Sequence, residues 1–200
     1  MIEPSPDPTA FTILVVCTGN ICRSAMAERL GRAFLADVLG ERADEVRIIS
    51  AGTSAVVDAD MHPDSAHVLC GLGVGAGDFR ARQLVGGMAD AADLTLTMTR
   101  THRHDVLQRD PRALARTFTL REAADLLRLL GDAPVDGATF VDRARDLVRR
   151  MAASRSHRRT GAGDDVRDPI GQPIEVHDEV ATLIAESLRP ILQRVADLHA

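Results

Sequence analysis

Hydrophobic and polar residues along the chain follow two periods, one typical of strands and one typical of helices. Short apolar runs rich in β-branched residues predict four buried strands, at 11–16, 46–51, 92–98 and 116–120. Apolar residues three or four apart predict helices that begin at Ser24 and that cover 64–72, 121–130, 138–151 and 175–198. Pro190 is expected to kink or divide the last of these. Strands alternating with helices favour a parallel sheet covered on both faces, a three-layer α/β fold.

A chain of 200 residues with 45% hydrophobic content fills one core, so we expect a single domain over 11–200. The first ten residues are acidic and rich in Pro, and we expect them to form a disordered extension. They do not resemble a signal peptide, and no apolar run of about 18 residues predicts a membrane span. These features predict a cytoplasmic protein without a membrane partner.

The net charge of −5 gives no reason to expect binding to nucleic acid, although all 24 basic residues are Arg. Three cysteines, an odd count, suit a reducing compartment better than a disulfide framework. His102 and His104 alternate as metal ligands can, but no cysteine or carboxylate cluster completes a site beside them. We interpret them as a solvent-facing pair and expect no metal or other cofactor. The sequence does not indicate an oligomeric state.

The stretch that joins the first strand to the first helix carries the strongest chemical signal. It reads Cys-Thr-Gly-Asn-Ile-Cys-Arg over 17–23 and leads directly into the helix. Gly19 and Asn20 tolerate left-handed backbone angles, so a turn here can direct successive backbone N–H groups inward. The positive end of the following helix adds to that field. The loop is therefore predicted to bind an oxyanion such as phosphate.

Cys17 leaves the strand at the floor of this predicted loop. The inward N–H dipoles, the helix terminus and Arg23 all favour its thiolate form, which makes it a nucleophile. The planar guanidinium of Arg23 can hold two phosphate oxygens at once, and the Ser24 hydroxyl can donate to the thiolate or cap the helix. The alternative is that Cys17 is a buried structural residue beside a helix-capping turn. The surrounding strand, turn and helix favour the catalytic interpretation.

Residues 16–24, Val-Cys-Thr-Gly-Asn-Ile-Cys-Arg-Ser, resemble the phosphate-binding loop of the low-molecular-weight protein tyrosine phosphatases. Segments at 50–53, 80–84 and 98–102 are similar to the same family, and the resemblance extends discontinuously from about residue 11 to residue 198. It implies a four-stranded parallel sheet in the order 2-1-3-4 and a phosphocysteine mechanism without metal. It also implies that the substrate phosphate is bound by the loop positions Thr18, Gly19, Asn20, Ile21, Cys22 and Ser24.

An acid must protonate the departing oxygen in such a reaction. Asp-Pro occurs at Asp7, Asp110 and Asp168, so the dipeptide alone selects none of them. Asp168 precedes the last helix, where the resemblance places the acid loop of the family, and we choose it as the general acid with Asp110 as the fallback. In the implied mechanism Cys17 attacks phosphorus while Arg23 holds the equatorial oxygens. Asp168 protonates the leaving oxygen and then activates water.

The leading hypothesis for the substrate is a tyrosine-phosphorylated protein. Phosphoarginine phosphatases on this fold resemble the chain closely but carry Thr where this loop has Ile21, whose branched hydrocarbon favours a flat phenyl ring. Many family members have an aromatic residue after Asp-Pro, whereas this chain has Ile170, so ring stacking is lost or supplied by another residue such as Phe79 or Phe140. An arsenate reductase is a further alternative, although outside the loop only Cys70 can relay oxidation.

Three further expectations concern residues outside the predicted reaction. Cys70, within a predicted helix, is interpreted as a packing residue. Cys22 either forms a reversible disulfide with Cys17 or packs under the loop. The chain departs from the family at about 132–163, where an added helix is followed by a mobile basic loop, which we interpret as a solvated linker in preference to a docking arm.

Overall fold

A four-stranded parallel sheet forms the centre of the protein in the computed structural model, which describes residues 10–159 and 161–199. Its strands are β1 (Phe11–Cys17), β2 (Val46–Gly52), β3 (Leu94–Thr97) and β4 (Thr117–Thr119). They pair in the order β2-β1-β3-β4, as the family resemblance implies. The fold class is confirmed. The predicted disordered extension lies, except for Ala10, outside the described residues.

Seven helices surround this sheet in the described part of the chain. They are α1 (Arg23–Leu39), α2 (Pro63–Gly71), α3 (Met88–Ala91), α4 (Arg100–Arg109), α5 (Leu120–Leu130), α6 (Phe140–Ala153) and α7 (Ile174–Ala196). The sequence pattern missed α3 and α4. In α4 only His102 and Val106 are buried, so no apolar stripe marks it as a helix.

Alternate residues of β1 point to opposite faces of the sheet and join two separate hydrophobic clusters. Ile13 and Val15 pack with residues of α1, α5, α6 and α7, whereas Leu14 and Val16 pack with residues of α3 and α4. The sheet is thus buried on both sides, which explains the nearly continuous apolar runs in its strands. The carboxyl end of β1, between β2 and β3, is the switch point at which ligands bind in such sheets.

Pro190 lies inside α7, and the helix continues through it over 23 residues. The prediction that Pro190 could divide the helix is wrong. A proline removes one backbone hydrogen bond, but the neighbouring apolar face is fully packed, with Leu188, Ile191 and Leu192 all at most 2% exposed. Burial of that face outweighs the lost bond.

The segment that follows α6 is not the mobile loop that we predicted. Residues 154–157 form a 3₁₀ turn, and two of the arginines are anchored to the body of the protein. Arg155 pairs with Glu122 at 3.2 Å and stacks on the Phe118 ring, 4.0 Å from its centroid. Arg158 pairs with Asp125 at 2.7 Å. Guanidinium groups that find buried acceptors and aromatic faces become part of the packed structure.

Cys70 was predicted to be a packing residue, and this prediction is wrong because its side chain is exposed. It lies in the last turn of α2, where Val68 and Leu69 face the core and Cys70 faces away from it. A helix exposes one side, and this cysteine falls on that side.

Candidate active site

The loop from Cys17 to Arg23 turns its backbone carbonyls outward. These carbonyls accept hydrogen bonds from the segment after β2, from Thr53 N to Cys17 O at 2.9 Å, Ser54 N to Thr18 O at 3.0 Å, Val56 N to Gly19 O at 3.0 Å and His62 N to Ile21 O at 2.8 Å. A trans peptide points its N–H away from its carbonyl, and the described residues contain no cis bond. The N–H groups between these carbonyls therefore point into the loop, where they can bind an oxyanion.

Close contact between the two segments requires a glycine. A Cβ on Gly52 would lie 2.3 Å from the Thr18 carbonyl oxygen, a distance that no side chain can adopt. The resemblance at 50–53 noted from the sequence thus corresponds to a turn that supports the loop from outside.

Asn20 holds the loop in shape from inside. It is fully buried and adopts a left-handed φ of 55°. Its Oδ1 accepts the backbone N–H of Arg82 at 2.8 Å, so the other end of the amide is the donor. That Nδ2 donates to both Ser24 Oγ and Ser50 Oγ at 2.8 Å. Asn20 therefore offsets backbone strain with three hydrogen bonds.

Ser24 is placed to donate its proton to Cys17. Its Oγ lies 2.9 Å from the Cys17 Sγ and already accepts a hydrogen bond from Asn20. The hydroxyl proton therefore remains available for the sulfur, which favours the thiolate. The alternative role as a helix cap is wrong, because α1 already begins at Arg23 and its N-cap is Cys22.

Two buried residues, one of them not noted in the sequence analysis, extend this network. Ser50, in β2, donates to Glu28 Oε2 at 2.6 Å, and Glu28, in α1, pairs with Arg32 at 2.7 Å. Glu28 is 1% exposed, so its carboxylate needs both partners. A polar Glu28 at a buried position of an amphipathic helix was the available signal in the sequence, but only the fold shows its partner.

Arg23 and Asp168, far apart in the chain, meet at the mouth of the loop. The Arg23 Nη2 lies 2.6 Å from Asp168 Oδ2, and its Nη1 donates to the Val166 carbonyl at 3.2 Å. Arg23 is 4% exposed, whereas the Asp168 side chain is 44% exposed. The buried Nε of Arg23 has no hydrogen-bond partner among the described residues. This guanidinium therefore keeps a donor free for a ligand.

Seven of the nine predicted site residues share one pocket of about 290 Å³. It is lined by Cys17, Thr18, Gly19, Ile21, Cys22, Arg23, Ser54, Val56, Asp168 and Ile170. Asn20 and Ser24 are fully buried and do not line it. They contact the pocket through Cys17 and the loop backbone.

The walls of the pocket are aliphatic. Ile21, Val56 and Ile170 line it, and Val56 and Ile170 are 50% and 47% exposed. The suggestion that Phe79 or Phe140 flanks the substrate ring is wrong, because both are buried in the core, at 2% and 8% exposure. Both belong to the main hydrophobic core cluster.

Asp110 does not suit the role of fallback acid. It is 4% exposed, and its two oxygens accept the backbone N–H groups of Gly87 and Ala89 at 2.7 and 2.9 Å. It thereby caps α3 and does not line the pocket. Asp168 is the carboxylate that the structure brings to Cys17 and Arg23.

His102 supports the loop from the side. The prediction that it faces solvent is wrong. It is 5% exposed, and its Nε2 lies 2.8 Å from Thr18 Oγ1. Burial, with the nearby Arg23 guanidinium, lowers the pKa of His102 to about 4. The ring is therefore neutral at pH 7. The similarity of 98–102 to the family was the signal in the sequence, whereas the polar neighbours of His102 indicated exposure.

The lowered pKa predicts a pH-dependent contribution of His102 to stability. Unfolded His102 binds a proton below about pH 6.5, but the folded protein does not bind one until about pH 4. As the pH is lowered between those values, protonation of unfolded His102 should therefore reduce the free energy of unfolding by about 2 kcal/mol. Urea unfolding at pH 7 and pH 4.5 should show a smaller loss for His102→Gln than for the parent. The exposed His104→Gln is the control, and equal losses in all three proteins would contradict the assignment.

Cys22 lies in the pocket wall as a buried thiol. Burial raises its pKa to about 11, with a smaller opposing effect from a hydrogen bond with Ser65. At neutral pH it is therefore protonated and a slow nucleophile. Both cysteines of the loop are free thiols here, and the disulfide between Cys17 and Cys22 stays a prediction.

No helix in the described part of the chain is both long and apolar enough to cross a membrane.

A sequence model for the family described as low molecular weight phosphotyrosine protein phosphatase matches residues 12–128. A probable low molecular weight protein-tyrosine-phosphatase, EpsP of Ralstonia nicotianae, is 37% identical over 111 residues, which cover 56% of this chain and 71% of the relative.

Two further comparisons extend over most of the chain. A protein-arginine-phosphatase of Geobacillus stearothermophilus is 30% identical over 178 residues, covering 87% of this chain and 91% of the relative. Among solved structures, a low molecular weight protein tyrosine phosphatase from T. tengcongensis is 25% identical with a TM-score of 0.65, over 92% of this chain and 99% of that one. The similarity thus includes the segment beyond α5.

Proposed function

Because the chain belongs to the low molecular weight phosphotyrosine protein phosphatase family, we propose that it removes phosphate from phosphotyrosine in proteins through a phosphocysteine at Cys17. The observation that carries the proposal is the pocket in which the Cys17 sulfur lies beside a serine donor. Arg23 and Asp168 line the same pocket. This combination supplies a nucleophile, a phosphate clamp and an acid without a metal.

The first step is attack of the Cys17 thiolate on phosphorus. The inward N–H groups of the loop and Arg23 hold the three equatorial oxygens while the S–P bond forms and the bond to the leaving oxygen breaks. The Ser24 hydroxyl, 2.9 Å from the sulfur, stabilises the thiolate before attack and again when phosphate leaves.

Asp168 supplies the proton in this scheme. An incoming phosphate replaces its carboxylate as the partner of Arg23, and the half-exposed carboxyl then faces the leaving oxygen at the pocket mouth. After the phenol departs, the ionised Asp168 takes a proton from water as that water attacks the phosphocysteine. Inorganic phosphate and the free Cys17 thiolate result.

The pocket walls support phosphotyrosine as the substrate. Ile21, Val56 and Ile170 offer only hydrocarbon to the group that carries the phosphate. A phenyl ring can bury its faces against these side chains, whereas a phosphoguanidinium would lose water without gaining a hydrogen-bond partner from them. A nucleophile at the floor of the loop is also reached better by a long arylalkyl arm than by phosphoserine.

Protein-arginine phosphatase is the second candidate. The observation in its favour is that the relative with this name aligns over 87% of the chain, more than the 56% aligned with EpsP. Arsenate reduction has less support, because Cys70 is exposed on α2 and does not line the pocket. Arsenate-dependent oxidation of thiols would reveal that activity directly.

Rates on matched phosphopeptides test the substrate. We expect kcat/KM for phosphotyrosine to exceed those for phosphoarginine and phosphoserine by at least about 10-fold. Ile21→Thr should move the ratio toward phosphoarginine, because it puts a hydroxyl in the wall. Val85→Thr, the same kind of change at an exposed site outside the pocket, is the control. A larger value for phosphoarginine in the parent protein would overturn the assignment.

The need for a free Cys17 thiol also supports a cytoplasmic location, which we include in the proposal. Cys17 works only as a free thiol, which a reducing compartment maintains. We therefore keep the cytoplasm as the proposed location and phosphorylated proteins as the proposed partners.

A further inference from the structure

Three side chains from separate parts of the chain meet where the phosphate loop contacts α2 and α7. They are Cys22 at the start of α1, His62 at the start of α2 and His177 in the first turn of α7. The Cys22 sulfur and one ring nitrogen of each histidine all lie within 4.8 Å of one another. The two rings stack with their centroids 5.0 Å apart. Sulfur and imidazole nitrogen are the ligands that zinc prefers in proteins.

Both histidines keep a ring nitrogen without a partner. His62 Nδ1 and His177 Nε2 are buried and make no hydrogen bond within the described structure. His177 is completely buried, so its nitrogen cannot be satisfied by bulk water. The backbone of Pro169 is a candidate acceptor for this ring, but Nε2 makes no hydrogen bond within the described structure. A buried polar atom of this kind is costly unless a ligand satisfies it.

Ser65 orients one of these rings. Its Oγ lies 2.9 Å from His177 Nδ1. When Nδ1 donates its proton to Ser65, the lone pair of the neutral ring is on Nε2. Histidines that bind metals are commonly fixed in this way by a hydrogen bond to their other nitrogen. Ser65 thus prepares His177 as a ligand.

Asp64 lies beside both histidines and opens a path from solvent. Its Oδ2 lies 3.8 Å from His62 Nδ1 and 3.9 Å from His177 Nε2. Its side chain is 44% exposed, so a cation can reach the cluster along it. The carboxylate also supplies negative charge that a divalent cation needs.

We propose that Cys22, His62 and His177 form a zinc site with water in the fourth position, beside the Asp64 carboxylate. The Cys22 thiol gives its proton to solvent as the Zn–S bond forms, and both histidines bind through their unpartnered nitrogens. Ligand atoms around tetrahedral zinc are about 3.5 Å apart, so the side chains must approach by roughly 1 Å. This site was not predicted from the sequence, since its ligands are far apart in the chain.

Zinc at this position would join the starts of α1, α2 and α7. It would therefore stabilise the folded protein by binding it and not the unfolded chain. A sulfur bound to zinc is also not free to attack an oxidised Cys17. Because Cys22 also lines the catalytic pocket, zinc binding is tested directly and not through activity.

Metal titration of a variant with a single thiol tests the proposal. In Cys17→Ser/Cys70→Ser, Cys22 is the only cysteine left. We expect one equivalent of Co²⁺ to bind with a thiolate-to-cobalt charge-transfer band in the near ultraviolet, and zinc to displace it. Zinc should also raise the Tm of this variant. Absence of the band at excess Co²⁺ would overturn the proposal.

Matched histidine variants assign the ligands. In the same background, His62→Gln should weaken cobalt binding by at least about 100-fold, whereas His67→Gln, at an exposed position on α2, should bind as the parent does. The Tm without metal shows whether each variant is folded, and His177→Gln repeats the test if His62→Gln is not. Equal binding by the His62→Gln and His67→Gln variants would contradict the site.

Discussion

Cys17→Ser should lower kcat on an aryl phosphate by about 10⁴-fold or more while the protein still binds phosphate or vanadate. The Ser hydroxyl would lie beside Ser24 and the loop N–H groups, none of which can remove its proton. A neutral hydroxyl is a poor nucleophile toward a phosphate ester. Binding is retained because Arg23 and the loop backbone are unchanged. Steady-state rates and vanadate titration by calorimetry measure both quantities.

The matched control for this change is Cys70→Ser. Cys70 is the only free thiol of the described chain outside the loop, and its side chain is exposed. This variant should keep the parent's kcat within about twofold. Substantial activity in Cys17→Ser, or a similar loss in Cys70→Ser, would rule out Cys17 as the nucleophile.

Asp168→Asn should separate substrates by their leaving groups. For phenyl phosphate, kcat/KM should fall by about 10²–10³-fold because the departing phenolate needs a proton. For a nitrophenyl phosphate, whose phenol is already acidic, the fall should be much smaller. We choose kcat/KM because it covers only the steps through phenol release, before Asp168 acts as a base.

This comparison distinguishes an acid from a structural partner of Arg23. If Asp168 served only to pair with Arg23 at 2.6 Å, both substrates would be slowed equally. Asp165→Asn, which breaks a neighbouring ion pair with Arg100, should leave the dependence on the leaving group unchanged. Equal losses for both substrates in Asp168→Asn would refute the acid role.

The sheet and the loop could be predicted because local sequence determines them. The apolar run of β1, the Gly-Asn turn and the helix that follows are contiguous, and each has a backbone preference of its own. The order of the strands needed the family resemblance. Helix α4 was missed because its polar residues face solvent while its buried side contains only His102 and Val106.

The supporting contacts of the site could not be predicted because they join distant segments. Asn20 meets Ser50 and Arg82, and Thr18 meets His102, only after the sheet has brought four segments together. Composition also misled us about the basic segment. Arg155 and Arg158 resemble a solvated arm in the sequence, but ion pairs with Glu122 and Asp125 and the Phe118 ring fix them in place.

The most direct test of the account is to trap the covalent intermediate. The parent protein is mixed with a nitrophenyl phosphate, for which phenol release should be faster than hydrolysis of the intermediate, and is quenched in acid within one turnover. Mass spectrometry of the digested protein should then find a phosphoryl group on Cys17 and on no other residue. A phosphoryl group on any other side chain, or an unlabelled protein during active turnover, would contradict a phosphocysteine mechanism.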